Sequence, residues 1–137
     1  MPKHVIAATA DFPPGSRRLV TIGERAIAIF NVKGEYFAML NRCPHNGGSL
    51  VEGLVTGLVQ STTPGDYTYS RPGEVIRCPW HGWEFDLRTG KSFCTGIRAR
   101  ARQFPVRTEP GRDIIEGPYQ AETLPVSIEN DYVVLDA

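Results

Sequence analysis

The sequence is poor in the features that mark membrane, secreted or polyanion-binding chains. Its longest apolar run, Ala26–Phe30, is five residues, against the roughly 20 needed to span a bilayer, so no membrane span is expected. Residues 1–10 lack the basic start and continuous apolar stretch of a secretory leader. Fifteen Lys and Arg balance fifteen Asp and Glu, leaving no overall basic field to attract nucleic acid or anionic lipid. No G-x-G-x-x-G run occurs, so a built-in nicotinamide or flavin site is not expected. Cysteine and histidine are scarce, at three each. Three thiols cannot all pair with one another, and the expected compartment is a reducing cytoplasm, where neighbouring thiols hold metal more often than they form disulfides.

What the sequence does contain fits one globular domain over residues 1–137. Its 41% hydrophobic and 22% charged residues are ordinary for a soluble domain, and the length suffices to bury a core without disulfides. Fourteen Gly and eleven Pro interrupt every run of helix formers, which predicts an all-β fold of short strands joined by tight turns. Period-2 patterning places strands at residues 3–8, 17–22, 26–32 and 35–40, with a Lys33-Gly34 turn,. Later strands are expected at 75–77, 83–87, 91–93, 101–107, 114–116, 123–128 and 132–135. Residues 46–77 read instead as a turn-rich loop carrying at most a small hairpin, because Thr63-Pro64-Gly65-Asp66 and Arg71-Pro72-Gly73 break the pattern,. Arg98, Arg100 and Arg102 alternate with Ile97, Ala99 and Ala101, which puts three guanidinium groups on one face of an extended chain. A solvated sheet face is the simpler reading of that stripe; docking to an acidic reductase patch competes with it.

Two short segments concentrate the chemistry. Cys43-Pro44-His45-Asn46-Gly47-Gly48 and Cys78-Pro79-Trp80-His81-Gly82-Trp83 each bring one thiol and one imidazole. In each, Pro follows the Cys and Gly follows the His within two residues. Proline fixes φ and removes a donor, while glycine permits positive φ and close backbone approach, so such loops wrap around a bulky group. Two thiolates and two imidazoles suit either a tetrahedral zinc ion or a [2Fe-2S] cluster with mixed ligands. Mixing both donor types in each loop favours two metals side by side over one structural zinc.

Together with Glu84-Phe85-Asp86 and Thr89-Gly90, these loops resemble the two cluster-binding loops of Rieske proteins. The resemblance implies that Cys43 and Cys78 ligate one iron of a [2Fe-2S] cluster and His45 and His81 the other. It also implies the Rieske fold: stacked antiparallel sheets with a small cluster-binding subdomain, here about residues 41–95, inserted into a larger base. The interval between His45 and Cys78 is about twice that of the simplest members, which places an insertion at about residues 56–73, read as a surface excursion.

A centre of that kind has every coordination position filled, so it relays an electron without binding a reactant. A Rieske oxygenase adds a mononuclear iron held by two His and a carboxylate, and only His4 remains after His45 and His81. The expectation is therefore a ferredoxin: a one-electron carrier between a flavin- or NAD(P)H-dependent reductase and a terminal oxidoreductase such as a ring-hydroxylating oxygenase, with no catalytic site of its own. The respiratory relatives carry an extra disulfide and an anchor, and place Ser where Trp83 stands. The disulfide and anchor are not expected here, and the missing hydroxyl donor at Trp83 implies a potential at the low end of the Rieske range, about −150 mV. Reduction should raise the pKa of His45 and His81. Trp80 and Trp83 are expected to shield the cluster or simply to pack, Arg42 to flank the exposed face, Cys94 to be a packed residue and His4 a surface one. Two alternatives remain: a Rieske small subunit bound tightly to a larger enzyme, and a zinc-binding interaction module.

Overall fold

The computed structural model describes residues 2–44, 47–79, 82–93, 99–116, 119–120 and 124–137. Eleven strands, one short α-helix and two single-turn 3-10 helices (Thr9–Asp11 and Leu50–Glu52) appear among them: β1 (Lys3–Ala8), β2 (Arg17–Ile22), β3 (Arg25–Val32), β4 (Glu35–Leu40), β5 (Leu54–Thr63), β6 (Asp66–Arg77), β7 (Glu84–Asp86), β8 (Gln103–Phe104), β9 (Val106–Pro110), α1 (Gly111–Glu116), β10 (Tyr119–Gln120) and β11 (Asp131–Asp136). They form three sheets, ordered β10-β1-β11-β9, β2-β3-β4-β8 and β5-β6-β7. Every pairing is antiparallel except β1 with β10. The all-β expectation holds.

β3 explains the layering. Six consecutive residues from Ile27 to Val32 are buried, so the strand faces protein on both sides, and successive side chains go to opposite faces. Ile27 and Ile29 pack with Ala7, Phe12, Phe104, Val133 and Leu135, joining the middle sheet to the first. Ala28, Phe30 and Val32 pack with Ile76, Phe85, Leu50 and Leu87, joining it to the third. That second cluster also contains Cys43 and Cys78.

Five segments differ from the sequence expectation. Residues 91–93 form only isolated bridges, Lys91 with Arg100 and Ser92 with Phe85. Residues 54–77 form a long hairpin rather than a turn-rich loop, because Arg71-Pro72-Gly73 does not end a strand. On β5 two steps lead from Thr56 to Leu58, while on β6 five lead from Ser70 to Val75. The surplus residues bulge out, with Arg71 and Gly73 at positive φ, and a bulge of this kind re-aims the side chains it carries. The strand expected over residues 101–107 divides into β8 and β9, in different sheets, at Pro105, which has no N–H for a ladder. Residues 114–116 lie in helix α1, where Ile114 is buried and Ile115 exposed; three residues are too few for periodicity to separate helix from strand. Residues 124–128 form no strand: the Ser127 N–H donates to the Tyr132 hydroxyl at 2.7 Å and that hydroxyl donates to the Pro125 carbonyl at 3.4 Å, so a side chain replaces the ladder.

Candidate metal centre

Two loops leave the strands on either side of the second core cluster. The first follows β4. Asn41 closes it, donating from Nδ2 to Ser49 Oγ at 2.8 Å and accepting the Val51 N–H at 2.7 Å. Inside that frame the Cys43 N–H donates to the Gly48 carbonyl and the Gly47 N–H to the Cys43 carbonyl, both at 2.8 Å. Gly47 has φ +81°, and the Arg42 guanidinium lies over it, about where a Cβ would find Nε at 3.5 Å. Arg17 braces the far end, its Nη1 donating to the carbonyls of Val51 at 2.9 Å and Gly53 at 2.6 Å.

The second loop follows β6. The Cys78 N–H donates to the Trp83 carbonyl at 2.7 Å, which turns the chain back into β7. Trp83 packs on the same core cluster, its ring 6.5 Å from that of Phe85. The turn after β7 is fixed by Asp86, which accepts the Arg88 N–H at 2.9 Å and the Thr89 hydroxyl at 3.1 Å. Gly90 is obligatory there: φ is +75° and an added Cβ would lie 2.5 Å from the Ala101 carbonyl oxygen,.

Cys43 and Cys78 are each 1% exposed and share one apolar cluster with Met39, Leu50 and Phe85. Neither forms a disulfide. Two thiols from separate loops, brought together out of water among hydrocarbon side chains, are donor chemistry that fits an iron–sulfur group. His45, His81, Trp80, Cys94 and Arg98 lie outside the described residues. Arg100 and Arg102 are exposed on either side of buried Ala101, as the alternation suggested. His4 is half-buried, its Nε2 3.3 Å from the Ala137 carbonyl oxygen.

Sequence reasoning missed the clamp behind these loops. The β6 bulge carries Arg71 and Glu74 to the turn after β7. Glu74, 8% exposed, accepts from Arg88 Nε at 2.6 Å, Lys33 Nζ at 3.1 Å and Arg71 Nε at 3.5 Å. Arg71 also meets Asp86 at 2.7 Å and Arg88 meets Glu35 at 2.7 Å. Hydrogen bonds from Arg88 and then Lys33 hold the Glu74 carboxyl down at about 2 against an ordinary 4.5, overcoming its burial,. Arg88 is raised by Glu74 and Glu35, and Arg71 by Asp86. The network ties the β3–β4 turn to β6 and β7, and so the middle sheet to the third.

The family description "Rieske [2Fe-2S] domain" matches residues 3–105. The 3-phenylpropionate/cinnamic acid dioxygenase ferredoxin subunit of Escherichia coli K12 is 31% identical over 109 residues, covering 80% of this chain and 88% of the relative. The Sphingomonas yanoikuyae B1 ferredoxin superposes with a TM-score of 0.56 at 27% identity, over 77% of this chain and 88% of that one. A chain from the complex of reduced oxygenase and oxidised ferredoxin in carbazole 1,9a-dioxygenase gives 0.59 at 25% identity, over 94% and 98%. Of the two metal centres that the donor set left open, these matches select the [2Fe-2S] cluster. Loop order, paired buried thiols, three-sheet architecture and sequence similarity converge: the chain belongs to the Rieske [2Fe-2S] domain family.

Proposed function

We propose that this chain is a one-electron carrier, a Rieske ferredoxin that takes an electron from a flavin- or NAD(P)H-dependent reductase and delivers it to a terminal oxygenase, in the cytoplasm. Residues 1–137 act as one Rieske unit, with residues 41–95 as its cluster-binding part and about residues 56–73 as an added excursion. Cys43 and Cys78 hold one iron, and His45 and His81 the other. The observation that carries this reading is the burial of Cys43 and Cys78 in a single apolar cluster at the roots of two loops that each also bring a histidine. The relatives named as ferredoxin components of dioxygenases support it.

A bound cluster supplies one-electron exchange with no vacant coordination position. The chain does the rest. Leu50, Met39, Phe85 and Trp83 exclude water around the two thiols, which keeps the local dielectric low,. Asn41, Arg17 and the Cys78–Trp83 backbone hydrogen bond brace the two loops, which would limit their rearrangement when a bound cluster gains or loses an electron.

The test is the visible absorption and low-temperature EPR spectrum of anaerobically purified protein. The expected result is a brown protein whose reduced form shows the low average g value of mixed nitrogen and sulfur ligation. His45→Ala or His81→Ala should abolish that signal and Cys94→Ser should leave it. A colourless protein with stoichiometric zinc, or turnover of an organic compound by the isolated chain, would overturn the reading.

A further inference from the structure

The molecule is neutral overall, but its charges are not spread evenly. Five basic side chains, those of Lys33, Arg71, Arg77, Arg88 and Arg107, have carboxylate partners. At the exit of β4, where the chain enters the Cys43 loop, the basic side chains are different. Among the described residues Arg25, Arg42, Arg100 and Arg102 form no ion pair.

Their placement is built. Arg25 opens β3 and Arg102 precedes β8, with the Leu40 N–H donating to the Arg102 carbonyl at 2.7 Å and the Asn41 N–H to the Ala26 carbonyl at 2.8 Å. Both guanidinium groups stack on the ring of Phe104, Arg25 at 5.2 Å and Arg102 at 4.9 Å from its centroid, so the two charges lie within about 10 Å of each other despite their mutual repulsion. Arg25 also lines, with Arg42, Asn41, Gly47 and Glu24, an open cavity of 540 Å³. Arg42 lies over Gly47 of the Cys43 loop itself. Arg100 donates from Nε to the Thr89 carbonyl at 3.0 Å, in the turn that follows the Cys78 loop. Arg25, Arg42, Arg100 and Arg102 thus border the cluster loops without carboxylate partners among the described residues, against the exposed Glu24 and Glu52, while Arg77 and Glu84 beside the Cys78 loop offset each other.

The compensating charge sits elsewhere. β8 runs antiparallel to β4, so it leads away from this end, through Pro105 into β9. There the exposed Asp113, Glu116, Glu129 and Asp131, four carboxylates against the exposed Arg112, gather around Pro110 and Gly111, since Asp131 pairs with Pro110 and the Gly111 N–H donates to the Asn130 carbonyl. Eight residues of extended chain, up to about 27 Å, separate Arg102 from Pro110. A neutral molecule built this way is an electric dipole that presents its positive end beside the cluster loops.

We infer that Arg25, Arg42 and Arg102 form the docking surface for the redox partner, and that the matching surface on that partner protein is acidic. This rests on the electron-carrier reading. Coulomb attraction turns the molecule on approach so that the cluster loops face the partner, and it raises the rate of productive encounter rather than the strength of the final complex.

Electron exchange with small probes of known charge tests this without the partner. Holoprotein reduced with dithionite passes one electron to the cobalt(III)–EDTA anion or to the hexaamminecobalt(III) cation, each cobalt going from three to two, followed by stopped-flow bleaching of the cluster. The expected result is a rate with the anion that falls about threefold between 10 and 200 mM NaCl, and a rate with the cation that rises. Arg25→Gln/Arg102→Gln should flatten both dependences; Arg18→Gln/Arg112→Gln, which changes the net charge equally at other sites, should not. A second readout needs no electron transfer: at pH 7 and low salt the wild type should be retained on a sulfonate cation exchanger, and the Arg25/Arg102 variant should elute earlier than the Arg18/Arg112 variant. Salt dependences of the wild type that are flat, or variants that behave alike, overturn the inference while the cluster spectrum still supports the carrier. Absence of that spectrum overturns the carrier reading itself.

Discussion

Arginine serves opposite purposes at the bulge of the third sheet and at the rim of the middle one. At the β6 bulge, Arg71 and Arg88 are bound to Glu74, Asp86 and Glu35 and locked over Phe93 and Phe37. Beside the Cys43 loop, Arg25 and Arg102 are stacked over Phe104 with no carboxylate among the described residues. In both places an aromatic ring orients the guanidinium plane. The difference is whether the charge is neutralised inside the molecule or left for something outside. The first arrangement contributes stability; the second contributes an encounter field and almost no stability.

The largest break in that contrast should come from Glu74→Ala. It strands three cations around a carboxylate position that is 8% exposed, and should cost about 2–3 kcal/mol in denaturant unfolding followed by far-UV circular dichroism. Arg88→Lys comes next. Lysine has no fork to reach Glu74 and Glu35 together and no plane to lay over Phe37, so about 1 kcal/mol should be lost in the same experiment. Acid should sharpen the assignment. Glu74 titrates at about 2 in the fold against an ordinary 4.5, so its contribution is full above pH 4.5 and is lost as pH falls through 2. The stability gap between wild type and Glu74→Gln should therefore be constant above pH 5 and shrink steadily below 4.5. The smallest effect belongs to the rim: Arg25→Gln should change stability by no more than about 0.5 kcal/mol. A larger loss would mean that this arginine, too, is a structural brace.

How much of this was legible in the sequence depended on how far apart the interacting residues lie. β1, β2 and β4 appear with the boundaries that period-2 alternation gives,. The two Cys-Pro loops were legible because their ligand types and glycines are crowded into a few consecutive positions. The clamp was not. Glu74 contacts Lys33 and Arg88, 41 and 14 residues away, and what brings them together is a bulge at Arg71-Pro72-Gly73 that reads, residue by residue, as the end of a strand. Pro105 misled in the opposite direction: the flanking residues alternate well, yet one missing N–H sends the chain from one sheet to another. The arginine stripe was visible, but its partner Arg25, some 75 positions earlier, meets it only through Phe104.

The long ribbon of β5 and β6 has a use that its neighbours do not suggest. Its root, at Leu54 and Arg77, adjoins Cys78, and its far turn at Pro64-Gly65 lies ten residues of strand away, on the order of 30 Å. Tyr67, beside that turn, is 74% exposed, and the turn itself is open to modification. A single thiol introduced there, as Asp66→Cys, offers a tether for gold or glass that would leave the opposite pole facing the solution. The fold thus comes with its own handle for oriented immobilisation on an electrode.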